Sequence, residues 1–316
     1  MPRVAQVETT AGPVDAGDLG LTLIHEHLRV RSESVARAFP RIYDEEHERT
    51  RALDWVSQAV ARGVKTICDP SVMEHDRDVR LQAEVAGEAG VQLVVATGIY
   101  TYHYLPEHFR NREIEYMVDQ FVSDIEEGIQ GTDIKAGFIK CCTDAQGVTE
   151  DVEKVLRAAA RASKQTGRPI MTHSHPASGA GVAQMGIFNE EEVDPQKVLI
   201  GHTGDTDSMN YIETLLGMGP FIGMDRYGLD ILLPTERRNW TVTELCDRGY
   251  ADRMFLSQDA CCTIDWYPEE LLREAAPNWN MTYLLDDVIP ALKESGVTDD
   301  QIKTMMEDNP PRWLAG

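Results

Sequence analysis

Leu21-Thr22-Leu23-Ile24 runs without a break into His25-Glu26-His27. A short, mostly apolar run thus ends abruptly in a polar, titratable cluster. The same arrangement recurs along the chain. Val64-Lys65-Thr66-Ile67-Cys68, Val91-Gln92-Leu93-Val94-Val95-Ala96 and Ala136-Gly137-Phe138-Ile139 come next. Pro169-Ile170-Met171-Thr172, Val198-Leu199-Ile200-Gly201, Phe221-Ile222-Gly223-Met224 and Met254-Phe255-Leu256-Ser257 complete the set. The starts lie about 33 residues apart, the size of a βα unit. Helical stripes fill the intervals. Leu53, Val56 and Val60 share a face, as do Met117, Phe121 and Ile125, and then Val152, Val155, Leu156 and Ala159. Val/Ile-rich runs alternating with amphipathic helices imply a parallel sheet covered by helices.

Eight such units in 316 residues predict an α/β fold, a (β/α)8 TIM barrel, as a single domain over residues 1–316. A doubly wound sheet is the alternative. No Gly-rich phosphate-binding turn follows the first run, which weakens a nucleotide-binding reading. The Asn309-Pro310-Pro311 tail reads as a helix stop.

The formal charge is −23, from 53 acidic and 30 basic residues. That balance argues against a nucleic-acid partner, which needs Lys and Arg opposite its phosphates. It also argues against docking on an anionic membrane surface. No run of about 18 apolar residues suggests a spanning helix, and residues 1–6 show no apolar signal core. Cys68, Cys141, Cys142, Cys246, Cys261 and Cys262 lack a disulfide-framework spacing. Reduced thiols in a cytoplasmic protein are expected.

In a barrel the chemistry sits at the C-terminal strand ends. Strand alternation puts His25 and His27 on one side of the first strand, with Glu26 pointing away. Lys140 ends the fourth run, His173 the fifth, His202 the sixth and Asp259 the eighth. Singly, each has an ordinary explanation: a hydrogen-bonded core histidine, a solvated lysine, a capping aspartate. Together they predict a metal centre. Nitrogen and oxygen donors of this kind suit Zn²⁺ first, with Co²⁺, Mn²⁺ and Fe²⁺ also accommodated.

This constellation resembles the binuclear metal hydrolases of the amidohydrolase superfamily. Longer motifs narrow the resemblance to phosphotriesterase-like lactonases. They include Thr22-Leu23-Ile24-His25-Glu26-His27-Leu28, Gly98-Ile99-Tyr100-Thr101-Tyr102 and Lys135-Ala136-Gly137-Phe138-Ile139-Lys140. Gly201-His202-Thr203-Gly204-Asp205-Thr206, Gly223-Met224-Asp225-Arg226-Tyr227-Gly228 and Asp259-Ala260-Cys261-Cys262-Thr263-Ile264-Asp265-Trp266 extend it nearly to the C-terminus.

The resemblance implies two divalent ions per chain. His25, His27 and Asp259 would hold the more buried one, and His173 and His202 the other. Lys140, carboxylated on its amine, would bridge both together with a hydroxide. That hydroxide would attack a lactone carbonyl, and Asp259 would carry its proton to the leaving alkoxide. Tyr100 would flank the lactone ring and Arg226 would shape the pocket. Tyr102, Leu229, Cys261, Trp266 and Trp279 would also contact the substrate, although the loop aromatics could equally be packing or dimer-interface residues.

The implied activity is opening of N-acyl-homoserine lactones and related lactones, which is quorum quenching, with phosphotriester hydrolysis as a side activity. A phosphotriesterase, or another ester hydrolase, is the alternative. A non-catalytic binding protein on the same fold is remote, because every ligand position is filled. A homodimer is implied too. His175 is expected beside the site and Gln258 to point off the barrel axis. His47, His75, His103 and His108 are expected on the surface or in loops.

Overall fold

The stripe Val152, Val155, Leu156 and Ala159 is buried along one face of the helix Glu150–Thr166. The Thr149 hydroxyl accepts from the Val152 backbone N–H at 3.3 Å and starts this helix. Gly167 ends it in the left-handed region at φ 76°. Met117, Phe121 and Ile125 are likewise buried on the helix Ile114–Glu126. On the helix Glu45–Ala61 the core face is centred on Ala52, Val56 and Ala59. Leu53 and Val60 flank that face, partly buried.

The protein is described here by a computed structural model covering residues 5–101 and 103–316. Its strands are β1 (Gln6–Thr9), β2 (Gly12–Asp15), β3 (Thr22–Leu23), β4 (Glu26–His27), β5 (Thr66–Asp69) and β6 (Gln92–Gly98). They continue with β7 (Phe138–Cys142), β8 (Ile170–His173), β9 (Val198–Ile200), β10 (Phe221–Met224), β11 (Met254–Leu256) and β12 (Ala260–Cys261). The order β3-β5-β6-β7-β8-β9-β10-β11 is a single eight-stranded sheet of parallel neighbours. The fold is a (β/α)8 barrel. Its first and last staves are each broken in two. The upper halves β4 and β12 pair in parallel, Glu26 opposite Ala260 and His27 opposite Cys261, and so close the ring.

The eight apolar runs thus become the eight staves, with shifted ends. β7 starts later than the run suggests and continues to Cys142. Lys140 therefore lies within the ladder, opposite Gly98 and Met171, rather than beyond the strand end. Gly98, at φ 134°, permits that approach: a Cβ there would stand 1.9 Å from the Lys140 carbonyl oxygen.

Two cores follow from the closed sheet. Inside the barrel, Ile24, Val94, Phe138, Met171, Leu199, Phe221 and Phe255 pack together with Val7 and Trp313. Val7 comes from the β1–β2 hairpin, which the sequence reading did not anticipate. The outer core fills the space between sheet and helices. Pro310 and Pro311 do not stop a helix; the helical chain runs on through them, from the π-turn Thr304–Asp308 into Asn309–Ala315. The wider π-turn interrupts the regular ladder where the prolines lack an N–H. The side-chain amide of Asn309 donates to the carbonyls of Ala251 and Met254 at 2.9 and 2.8 Å. Trp313 is thereby carried into the interior. Among the described residues no helix is long and apolar enough to cross a membrane.

One buried carboxylate holds the seam. Glu26 points away from the imidazoles and accepts from the Ser257 hydroxyl and the Gln258 N–H, at 2.8 and 2.9 Å. Its other oxygen accepts from the Ala260 N–H at 2.8 Å. Burial pushes the Glu26 carboxyl well up, while these donors pull it down. Glu26→Leu would strand three buried donors, at about 1–3 kcal/mol each. The expected outcome is a loss of at least ~3 kcal/mol in chemical denaturation of purified protein. An unchanged midpoint would contradict the assignment of the seam to Glu26.

Candidate active site

Every titratable residue placed at a strand end by the sequence reading meets at the mouth of the barrel. His25, His27, Lys140, His173, His202 and Asp259 are all buried and all line a cavity of 520 Å³. The Nε2 atoms of His25 and His27 lie 3.2 and 3.3 Å from the same Asp259 oxygen. Three donors converging on one point suit a divalent cation.

The far side of each ring is fixed. Asp225, with no exposed surface, contacts His25 Nδ1 at 2.8 Å and His202 Nδ1 at 3.1 Å. It also accepts the His202 backbone N–H at 2.7 Å. His27 Nδ1 meets the Ser71 hydroxyl at 2.8 Å, and that hydroxyl donates onward to the Arg29 carbonyl. These contacts place the protons on Nδ1 and leave the Nε2 lone pairs facing the centre. His25, His202 and Asp225 are also close enough to hold an ion. The Asp225 oxygens are already taken by three donors, so Asp225 orients the ligands rather than joining them.

Asp259 sits at φ 52° and His202 at φ 62°. Left-handed backbone at two non-glycine residues is strain retained at a working site. Burial alone would raise the Asp259 carboxyl, but the His25 and His202 imidazoles and Arg226 hold it well below the usual range. The Lys140 amine lies 3.2 Å from His25 Nε2. Burial lowers its pKa against the pull of Asp259 and Asp225. A buried amine with a reduced preference for the ammonium form fits addition of CO₂.

His173 is arranged differently. Its Nδ1 faces the Tyr100 hydroxyl at 3.2 Å and its Nε2 faces Asp144 at 2.9 Å. Burial lowers its pKa to about 4. Its ring crosses that of His202 at 4.5 Å between centroids. The two rings can serve a second ion once His173 exchanges one contact for it. Arg226 bonds Asp259 and Asp205, both at 2.9 Å, and so braces the carboxylate from the side.

Leu229, Cys261, Trp266 and Trp279 line the same cavity, as does His175. Trp279 donates its indole N–H to the Gln258 carbonyl at 3.0 Å. Gln258 turns off the axis, as expected, and donates to the Asn280 carbonyl. Burial pushes the Cys261 and Cys262 thiols well above their ordinary values, which disfavours thiolate ligation. Tyr102 lies outside the described residues.

The phosphotriesterase family matches residues 5–314. The chain belongs to that family. Phosphotriesterase-family enzymes are binuclear metal hydrolases; this chain is a hydrolase of that family, with His and Asp residues that could hold metal. It is 48% identical to an aryldialkylphosphatase of Saccharolobus solfataricus, over 96% of this chain and 97% of that one. It superposes on the solved phosphotriesterase from Mycobacterium tuberculosis with TM-score 0.94 and 45% identity, covering 98% of both. An N-acetyltaurine hydrolase of Danio rerio is 25% identical over 98% of this chain.

One histidine expected on the surface or in a loop does lie in a loop, but it faces the cavity. His47, His103 and His108 are exposed, but His75 is 2% exposed and lines the cavity. Its ring lies 5.2 Å from His27 and 4.2 Å from Tyr100. Asp225, Ser71 and Asp144 were not singled out either. Each follows a strand end within a few residues, and that position was their only signal.

Asp225→Ala should lower metal affinity by roughly 10–100-fold and leave the fold intact. Equilibrium dialysis against a chelator, followed by metal analysis, checks this. Retention equal to wild type would remove Asp225 from its orienting role.

Proposed function

We propose that this phosphotriesterase-family hydrolase is a lactonase. It would open N-acyl-homoserine lactones and related lactones, with phosphotriester hydrolysis as a secondary activity. The carrying observation is the shape of one cavity. Buried imidazoles and Asp259 form its floor, while Leu229, Ile231, Leu232, Ile264, Leu271 and Leu272 form an apolar wall beside Trp266 and Trp279. Asp225 to Pro234 separates β10 from the next helix; Leu229 in that segment is buried against the cavity, and Ile231 and Leu232 stand at its rim. An acyl chain fits such a wall, and a polar reacting centre fits the floor.

The ligand set we propose is His25, His27 and Asp259 for one ion and His173 and His202 for the other, with carboxylated Lys140 between them. Zn²⁺ suits these donors best, and Co²⁺, Mn²⁺ or Fe²⁺ also suit them. When bound, the two ions would lower the pKa of a water and offset charge on a developing oxyanion. The chain supplies the remainder. Asp259 takes the proton from the attacking water and delivers it to the alkoxide that leaves the ring. Arg226 fixes the Asp259 carboxylate for both transfers. Tyr100 flanks the lactone ring, and Tyr102, Leu229, Cys261, Trp266 and Trp279 contact its substituent. The product is the ring-opened hydroxy acid, so each turnover releases one proton at neutral pH.

The whole chain, 1–316, would act as one barrel domain, in a cytoplasmic homodimer. A neutral lactone suits a protein of charge −23 better than a polyanion does. The alternative, a phosphotriesterase as the main activity, is favoured by the name of the Saccharolobus relative. A tetrahedral phosphorus centre resembles the tetrahedral intermediate of ester hydrolysis, so one site serves both.

A pH-indicator assay across lactones of increasing chain length, with paraoxon alongside, separates the readings. Long-chain N-acyl lactones are expected to react fastest. A paraoxon kcat/KM above that of every lactone would reverse the order. Lys140→Ala is expected to lose nearly all activity and to regain part of it in a short carboxylic acid. Full activity without that acid would exclude a bridging role.

A further inference from the structure

His75 has no part in the reaction as described, yet it is built into the wall of the same cavity. The loop that carries it is fixed on both sides. Its backbone N–H donates to the Val72 carbonyl at 3.0 Å, and its carbonyl accepts from the Arg31 N–H at 3.2 Å. The neighbours Glu74 and Asp76 both take left-handed backbone, at φ 75° and 52°. The Glu74 N–H is held by the Glu33 carboxylate at 2.9 Å. Two strained non-glycine residues in three positions are a cost that ordinary loops avoid. Their effect is to turn a histidine inward.

The tautomer of that histidine is set by the backbone. The Val72 N–H points at His75 Nδ1 at 3.3 Å. A backbone N–H can only donate, so Nδ1 must offer its lone pair. The ring is then neutral and carries its proton on Nε2. Among the described residues, no protein group pairs with Nε2. The ring lies between Tyr100 at 4.2 Å and Trp266 at 5.8 Å, and edge-on to His27 at 5.2 Å. The polar groups nearby are committed: Tyr100 to His173, Arg226 to Asp259 and Asp205, and Trp279 to Gln258.

We propose that His75 is a specificity-determining residue. Its Nε2–H donates a hydrogen bond to a carbonyl acceptor on the substrate, a few bonds from the reacting carbonyl. The exocyclic amide of an N-acyl lactone provides that acceptor; a plain alkyl lactone of the same length does not. A buried donor that pairs with one substrate and is stranded by the other discriminates between them more strongly than apolar contact can. The inference rests on the lactonase reading.

The test compares wild type, His75→Leu and His75→Gln on two γ-lactones of equal chain length, one N-acylated and one alkyl. Gln restores an N–H donor at similar reach. Metal content and melting temperature of each variant are measured alongside. For His75→Leu, kcat/KM on the N-acyl lactone is expected to fall about tenfold, mostly through KM. On the alkyl lactone it should change less than about threefold. His75→Gln should recover much of the preference. Equal losses on both lactones, or no loss on either, would overturn the role of His75 and leave the lactonase reading standing. Failure of wild type to open either lactone, with paraoxon still hydrolysed, would overturn both.

Discussion

The closure of this barrel depends on one buried carboxylate. Both staves that meet at the seam are broken, and only their short upper halves, β4 and β12, pair across it. Glu26 bridges the break in the last stave with three accepted hydrogen bonds. Burying an unpaired carboxylate would be prohibitive; accepting three donors offsets much of that penalty. The segment so held, Ser257 to Ala260, contains Asp259 in its left-handed conformation. The Asp259 N–H in turn donates to the His25 carbonyl at 2.9 Å. Ring closure and placement of the central carboxylate are therefore one structural event. A carboxylate that must stand clear of its ladder is obtained by breaking the ladder and clamping the break.

A second carboxylate, Asp225, does for electrostatics what Glu26 does for geometry. Five buried imidazoles, an amine and a guanidinium share a small volume. Burial disfavours charge on His25, His202 and Lys140 alike. Neutral imidazoles and a neutral amine are the forms that bind metal and CO₂. Asp225 fixes two of those imidazoles in the useful tautomer, and its ionised form is held by the rings it orients. The arrangement is self-consistent: the burial that makes these groups costly to charge also keeps them in their neutral forms.

The staves and the first ring of site residues were legible because both obey short-range rules. An apolar run needs only its own residues to declare itself, and a histidine at its end needs only the topology of a barrel. His25, His27, Lys140, His173, His202 and Asp259 were found in this way. Residues whose role comes from distant partners were not. Asp225 gains its role from His25, 200 positions away. His75 looked like a loop residue because its segment is polar, Glu74-His75-Asp76, and nothing local shows that the backbone turns the middle side chain inward. Pro310 and Pro311 were misjudged for a related reason. Proline cannot donate inside a helix and usually ends one, but here a π-turn just before the pair breaks the regular ladder, and sequence alone does not show that turn.

The same division separates machinery from specificity. The floor of the cavity is made by strand ends, which the sheet holds in fixed register. The wall is made by loops after β5, β10 and β12, where no ladder constrains the side chains. Relatives with this barrel carry names as different as aryldialkylphosphatase and N-acetyltaurine hydrolase. Attack on a phosphoester passes through a five-coordinate stage and attack on an amide through a tetrahedral one, but both build negative charge on oxygen, and a floor of paired imidazoles and carboxylates can serve either. What distinguishes one hydrolase from another must then lie in the wall: its apolar length, the closeness of its short loop, and any donor it turns toward the substrate. An identity counted over 304 residues averages over all of them, so it says little about a few loop positions. The substrate is decided by a handful of loop residues that contribute little to that identity.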